Sequence, residues 1–168
     1  MARGLVYRNN NSFPLTASEV DDNFEYLATR SNTIDLYAYG AVGDGVTDDT
    51  AAIRDAVAAA AANKGGVIFL GRGTHIISET VDIPYSNIQF VGLGEDAAHN
   101  TGGQGTLASS IIKWGGAANG TMFHIRSPEG VNNQKLHGCG FSRIMFHSGY
   151  TTANTGADIA IRISSQNK

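Results

Sequence analysis

Tyr39-Gly40-Ala41-Val42-Gly43-Asp44-Gly45-Val46-Thr47-Asp48-Asp49-Thr50 packs three glycines and three aspartates into a dozen residues. Gly40, Gly43 and Gly45 supply positive φ at little cost, and Asp44 before Gly45 is a turn dipeptide, so the chain is expected to reverse here. Thr47, Asp48 and Asp49 offer side-chain oxygens to the free amides of a helix start, and their charge suits the positive end of its dipole. Ile53 and Val57, with Ala56, Ala60 and Ala61, then recur at helical spacing and make a thin apolar stripe whose small side chains allow close approach. Lys64 and Gly65 end the helix after Ala62. Gly65-Gly66 leads into Val67-Ile68-Phe69-Leu70, a strand, so one short helix hands the chain to a series of strands.

The 168 residues suffice for one domain and a small accessory piece. Twenty-one glycines against three prolines favour an all-β chain rich in turns over a helical bundle or a disordered tail. Twelve basic and 15 acidic residues give a formal charge of −3, so no basic footprint points to nucleic acid or an anionic membrane. Cys139 is the one cysteine, which leaves no disulfide framework and no zinc set, and it reads as a buried reduced thiol. Met1 to Arg8 holds no apolar run fit for a signal peptide, and no later stretch suits a membrane span.

Residues 1–14 read as an extended polar arm, ordered against a partner. Leu15 to Arg30 reads as a helix with a full start signal: Thr16 as N-cap, Glu19 as its capping-box partner, and Leu15 with Val20 as a hydrophobic staple. Its apolar side is only Val20, Phe24 and Leu27, too little for a helix of about four turns to stand alone. It needs a surface, which is the first coil of its own chain, the same helix in two other subunits, or a different protein.

Beyond Gly66 the strand candidates are Val67–Leu70, His75–Ser78, Thr80–Ile83, Asn87–Val91, Ser110–Trp114, Thr121–Ile125, Gln134–His137, Phe141–His147 and Asp158–Ile163. Gly92 to Gly105 reads as a long loop. Short strands with tight turns fit an antiparallel meander or the coils of a parallel solenoid. Phe141, Ile144 and Phe146, and by alternation Ile159, Ile161 and Ile163, are expected in the core.

The segment from Leu36 to Pro84, about fifty residues, resembles the opening of the pectate-lyase-like superfamily. There an aromatic-Gly-Ala turn, a Gly-Asp-Gly-Val-Thr-Asp-Asp-Thr box, a short helix and a Gly-Gly-strand-Gly-Thr run begin a right-handed single-stranded parallel β-helix. The resemblance implies a mainly β fold with two short helices, in which the alanine-rich helix plugs the open end of the first coil. Val67 to Lys168 then has room for about four coils of roughly 20 to 30 residues. The Phe13 to Leu27 run is similar to a motif near the start of bacteriophage tail-fibre and tailspike proteins. This pairing implies a tailspike arrangement: residues 1–35 as a helical virion anchor, and residues 36–168 as the helix-capped first coils of a longer β-helix. Ser164 to Lys168 offers no cap, so the coils are expected to continue beyond residue 168 or to be covered by a partner.

The same resemblance implies a homotrimer on the phage tail, attached to a tail adaptor, nozzle or baseplate protein through Leu15, Val20, Phe24 and Leu27. Later coils would recognise, and further along depolymerise, a bacterial surface polysaccharide; residues 1–168 are expected to be non-catalytic. The competing reading is a free polysaccharide lyase or glycoside hydrolase. Glu79, Asp82, Glu95, Asp96, Glu129 and Asp158 show no spacing that pairs two carboxylates on adjacent coils. Glu95, Asp96 and His99 share the long loop and read as solvated. Asp44, Asp48 and Asp49 read as turn and cap residues, because the closing glutamate of a calcium loop is missing. The glycine sets at 40/43/45 and 102/103/105 lack the setting of a nucleotide loop. His75, His124, His137 and His147 could hold zinc only if coils stack two of them. Trp114 reads as packing before sugar stacking. No cofactor, no metal, no nucleic acid and no membrane insertion are expected.

Overall fold

The computed structural model describes residues 16–18, 20, 21, 23, 32–94, 109–126, 136–151 and 156–164. The chain divides into two compact units, Met1–Asn32 and Thr33–Lys168. In the first, Ala17, Ser18, Val20, Asp21 and Asn23 are helical, the Val20 N–H donates to the Thr16 carbonyl at 3.0 Å, and Val20 is half-buried. Leu15, Glu19, Phe24 and Leu27 lie outside the described residues, as do the arm, Glu95, Asp96, His99, Glu129 and the glycines at 102, 103 and 105.

In the second unit the strands are β1 (Thr33–Asp35), β2 (Asp44–Asp48), β3 (Gly66–Phe69), β4 (Gly73–Ile77), β5 (Val81–Ile83), β6 (Ile88–Val91), β7 (Ser110–Trp114), β8 (Gly120–Arg126), β9 (Gly140–Ser142), β10 (Met145–His147) and β11 (Ala157–Ser164). They form three sheets in the orders β1-β3-β6-β9 (sheet A), β10-β7-β4-β2 (sheet B) and β11-β8-β5 (sheet C). Every pairing is parallel. The chain visits sheets A, B and C in turn and returns one rung higher, which is a β-helix and not a meander of hairpins. Alternate residues therefore point into the coil and stack on equivalents above and below. Ile34, Ile68, Phe90 and Phe141 stack in sheet A, and Val81, Phe123 and Ile161 in sheet C. Phe90 and Phe141 are parallel at 5.0 Å, and Phe123 meets Phe141 edge-on at 4.9 Å.

The helix α1 (Thr50–Ala62) lies in sequence between β2 and β3, the place that a sheet C strand occupies in later rungs. Sheet C has three strands where A and B have four, and α1 packs against β1, β3, β5 and β6. The helix thus closes the first rung in place of its missing third strand. Ile53, Ala56, Val57 and Ala60 are buried on it, as the stripe requires.

The structure corrects several local expectations. The Gly-Asp-Gly box does not simply reverse the chain: Asp44–Asp48 is β2, paired with β4, with a register shift between Asp44 and Asp48. The turn signals are absorbed by that irregularity, where the Asp44 carboxylate accepts from the amides of Val46 at 2.8 Å and Thr47 at 2.7 Å. Asp48 alone caps the helix, accepting from the Thr50 amide at 2.9 Å, while Asp49 stands at the N-cap with its side chain turned inward. Thr33–Asp35 is a strand and Leu36–Tyr39 a 3-10 turn, neither of which the sequence announced. Leu136 and His137 are not in a strand, and Phe141 to His147 is broken where Arg143 takes φ 56° at the corner between sheets. Among the described residues, Val67 onward forms three rungs where about four were expected. Ile163 registers with Ile125 yet is 77% exposed, because no described residue covers the last rung.

Candidate functional site

The outer face of sheet C collects charge. Register places Asp82 of β5, His124 of β8 and Arg162 of β11 in one row across three rungs, with Arg126 and Ser164 paired beside it. The local sequence explains this. His124-Ile125-Arg126 and Arg162-Ile163-Ser164 each put an isoleucine inward between two polar residues pointing out. Arg126 forks onto Asp82, Nε to Oδ1 at 3.0 Å and Nη2 to Oδ2 at 2.9 Å. His124 Nε2 lies 2.7 Å from Ser164 Oγ, and its Nδ1 lies 3.5 Å from Asp82 Oδ1. At the lower edge, Arg54 of α1 donates to the Thr80 carbonyl at 2.9 Å and pairs with Glu79 at 2.8 Å.

The hydrogen bonds from Arg126 hold the Asp82 carboxyl below the usual carboxylate range; burial opposes them, and the charges of Arg126, His124 and Arg54 add to the lowering. His124 is pushed below the ordinary histidine range, first by burial and then by Arg126 and Arg162, against the attraction of Asp82. Among the described residues the Arg162 guanidinium makes no hydrogen bond or ion pair, and it is exposed. This face offers a fixed carboxylate, an imidazole, a hydroxyl and a free planar cation, a set that suits hydroxyl-rich and oxyanion-bearing ligands.

Asp44 is also held below the carboxylate range by amide hydrogen bonds from Thr47 and Val46. For Asp48, burial acts to raise the value and is outweighed by hydrogen bonds from Ser78 and Thr50. A carboxyl lowered by folding adds stability that is complete above its unfolded value and is lost as pH falls through the folded one. Melting temperature is therefore expected to fall as pH drops below about 4. The deficit of Asp82→Asn relative to wild type should shrink over the same range, which melts between roughly pH 6 and 2 would check.

The structure separates the other candidates. His75 stacks on Ile112, His124 on Asp82 and Arg162, and His147 on Lys113, so none of these histidines lies above another. Among the described residues no group of three acidic, histidine or cysteine side chains could hold a metal ion. His75 instead pairs with Asp49 inside the coil, Nδ1 to Oδ2 at 2.8 Å, with both side chains fully buried. Trp114 is buried, its Nε1 donating to the Ala117 carbonyl at 2.7 Å. Cys139 is only partly buried, its thiol donating to the Tyr85 carbonyl. Of the proposed attachment residues only Val20 is described. Arg126, Arg162 and Ser164 were not singled out from the sequence, although their alternation with isoleucine carries the signal once strands are stacked.

These features define a parallel β-helix with a plugged first rung and a charged row on one outer face. Residues 34–167 match the family described as rhamnogalacturonase A/epimerase, pectate lyase-like, and the chain belongs to that family. Among solved structures it is similar to ORF18 of Geobacillus virus E2 (23% identity, TM-score 0.61, covering 89% of this chain and 28% of that one). It is also similar to the A-module of the mannuronan C-5 epimerase AlgE6 of Azotobacter vinelandii (22% identity, TM-score 0.51, 79% of this chain and 32% of that one). At these identities the likeness is one of fold. The non-secreted LysM effector LysM19 of Penicillium expansum is 48% identical over 54 residues, 32% of this chain and 4% of that protein. This chain thus spans about a third or less of each of these proteins.

Proposed function

We propose that the chain recognises an anionic polysaccharide through the outer face of sheet C and is carried on a phage tail as a homotrimer attached through residues 1–35. The observation that carries the binding part is the row Asp82–His124–Arg162, whose guanidinium has no partner among the described residues, on a member of a family described by polysaccharide-acting enzymes. The tail part is supported by the Phe13 to Leu27 motif directly before the β-helix opening. An extended glycan lies along a solenoid face, where rungs about 4.8 Å apart present the same side-chain position repeatedly. Charge attraction to Arg162 then selects acidic chains.

Retention on an immobilised panel of acidic and neutral polysaccharides tests the binding. The acidic members should retain the protein in a salt-sensitive way, and Arg162→Ala should weaken retention by about tenfold, the equivalent of about 1.4 kcal/mol. Equal retention by neutral glycans, or none at all, would reject this reading. Co-sedimentation with phage particles and light scattering test the attachment and the trimer. Reducing-sugar release by the chain alone would favour a free depolymerase.

A further inference from the structure

We propose that Ser164, His124 and Asp82 form a nucleophile, base and orienting carboxylate that hydrolyse an ester substituent of the bound sugar, such as an O-acyl group. This deepens the polysaccharide-binding reading and rests on it. Three side chains from three consecutive rungs, distant in sequence, meet in the order that acyl transfer requires, hydroxyl to imidazole to carboxylate. The first contact, Ser164 Oγ to His124 Nε2, is 2.7 Å. The second, His124 Nδ1 to Asp82 Oδ1, is 3.5 Å, long for a hydrogen bond, and such contacts often tighten when substrate binds.

The tautomer follows from the partners. A carboxylate only accepts, so the ring proton sits on Nδ1 facing Asp82, and the Nε2 lone pair faces the Ser164 hydroxyl. Asp82 can serve both Arg126 and His124 because its two oxygens offer about four acceptor sites. The Arg126 fork fixes the carboxylate, donating to both of its oxygens. The groups are also within reach of a substrate: the side chains of His124 and Asp82 are 21% and 44% exposed, and Ser164 is half-buried.

In the first step Ser164 Oγ bonds to the ester carbonyl carbon and its proton passes to His124 Nε2. The carbon–oxygen bond to the sugar breaks, and His124 returns the proton to the departing sugar oxygen, leaving an acyl-serine. Water then adds to the acyl carbon, gives its proton to His124, and the acid leaves as Ser164 regains the proton. Arg162, whose charge bears on His124 and which shares the face of β11 with Ser164, is the cation available to the oxyanion. The groups facing His124 are Asp82 from β5, Arg126 from β8 and Arg162 from β11. Because burial, with the charges of Arg126 and Arg162, pushes His124 down against the attraction of Asp82, the acidic limb of the rate profile should lie below the ordinary histidine range.

The test uses the 168-residue chain, a fluorophosphonate probe and p-nitrophenyl acetate. Peptide mass mapping should place the phosphonyl adduct on Ser164. Ser164→Ala and His124→Gln should each cut ester hydrolysis by at least about a hundredfold while keeping wild-type melting. Asp82→Asn should lower kcat more than it raises KM and should move the acidic limb, which loss of a surface ion pair alone would not do. Ser164→Cys, a near-isosteric change, should shift labelling from the fluorophosphonate to iodoacetamide. A folded wild-type protein with no adduct on Ser164, or an adduct and turnover unchanged in His124→Gln, would overturn the proposal. Glycan retention without any ester cleavage would remove the esterase and leave the binding reading standing.

Discussion

His75→Ala is expected to lower the unfolding free energy by about 3–5 kcal/mol, and the melting temperature by roughly 6–20 °C, measured by calorimetry. The ring is fully enclosed, with Nε2 3.1 Å from the Leu70 carbonyl and Nδ1 2.8 Å from Asp49 Oδ2. Asp49 in turn accepts from the Val42 amide at 2.8 Å and the Gly43 amide at 3.0 Å. Removing the imidazole leaves a buried carboxylate without its counter-group and a carbonyl without its donor, which is costlier than never having formed the pair. Asp49→Ala should cost at least as much, since it strands two backbone amides as well as the histidine. The double variant should be less destabilised than the sum of the two single changes, because the two residues are in direct contact and share one interaction. A His75→Ala protein melting within a degree or two of wild type would mean that water reaches this pair in solution.

The second large effect is expected at a corner. Gly73 takes φ +117°, and a Cβ built there would stand 2.2 Å from the Gly43 carbonyl oxygen of the rung below. Neighbouring rungs are tied here by the Thr74 amide donating to that same carbonyl at 2.8 Å, so the backbone cannot retreat without breaking the β2–β4 pairing. Gly73→Ala should therefore cost upward of about 3 kcal/mol, combining a conformation that side chains avoid with a backbone clash. Gly40→Ala is the matched control. Gly40 has φ +89° with no atom within 4 Å of an added Cβ, so only the conformational penalty of about 1 kcal/mol applies. Denaturant melts of the two variants separate close approach from backbone preference, and equal losses would contradict this account.

Much of the coil was legible in the residues because its signals are local. The alanine-rich stripe with Ile53 and Val57, the Gly65-Gly66 stop, and the strands at Val67, Ser110 and Thr121 follow from period and punctuation alone. β1 and β2 escaped detection because Thr33–Asp35 is three residues long and Asp44–Asp48 carries the composition of a turn; both are strands through pairing with the next rung. The candidate site was legible only in fragments. Asp82 and His124 were visible as an acid and a base with no reason to join them, since 42 positions separate them in the chain.

What the sequence determined by itself was therefore the class of architecture: an amphipathic plug followed by strands whose alternating isoleucines and phenylalanines must face one another. What the tertiary structure decided was the register, and with it every relation between rungs. Stacking set Asp82, His124 and Arg162 in a row, brought Ser164 within a hydrogen bond of the imidazole, and turned Asp49 from a helix cap into the buried partner of His75. The reason is physical. Periodicity along a chain is fixed by backbone geometry, whereas the alignment of one coil on the next depends on how many residues each corner consumes, and that number is settled by packing.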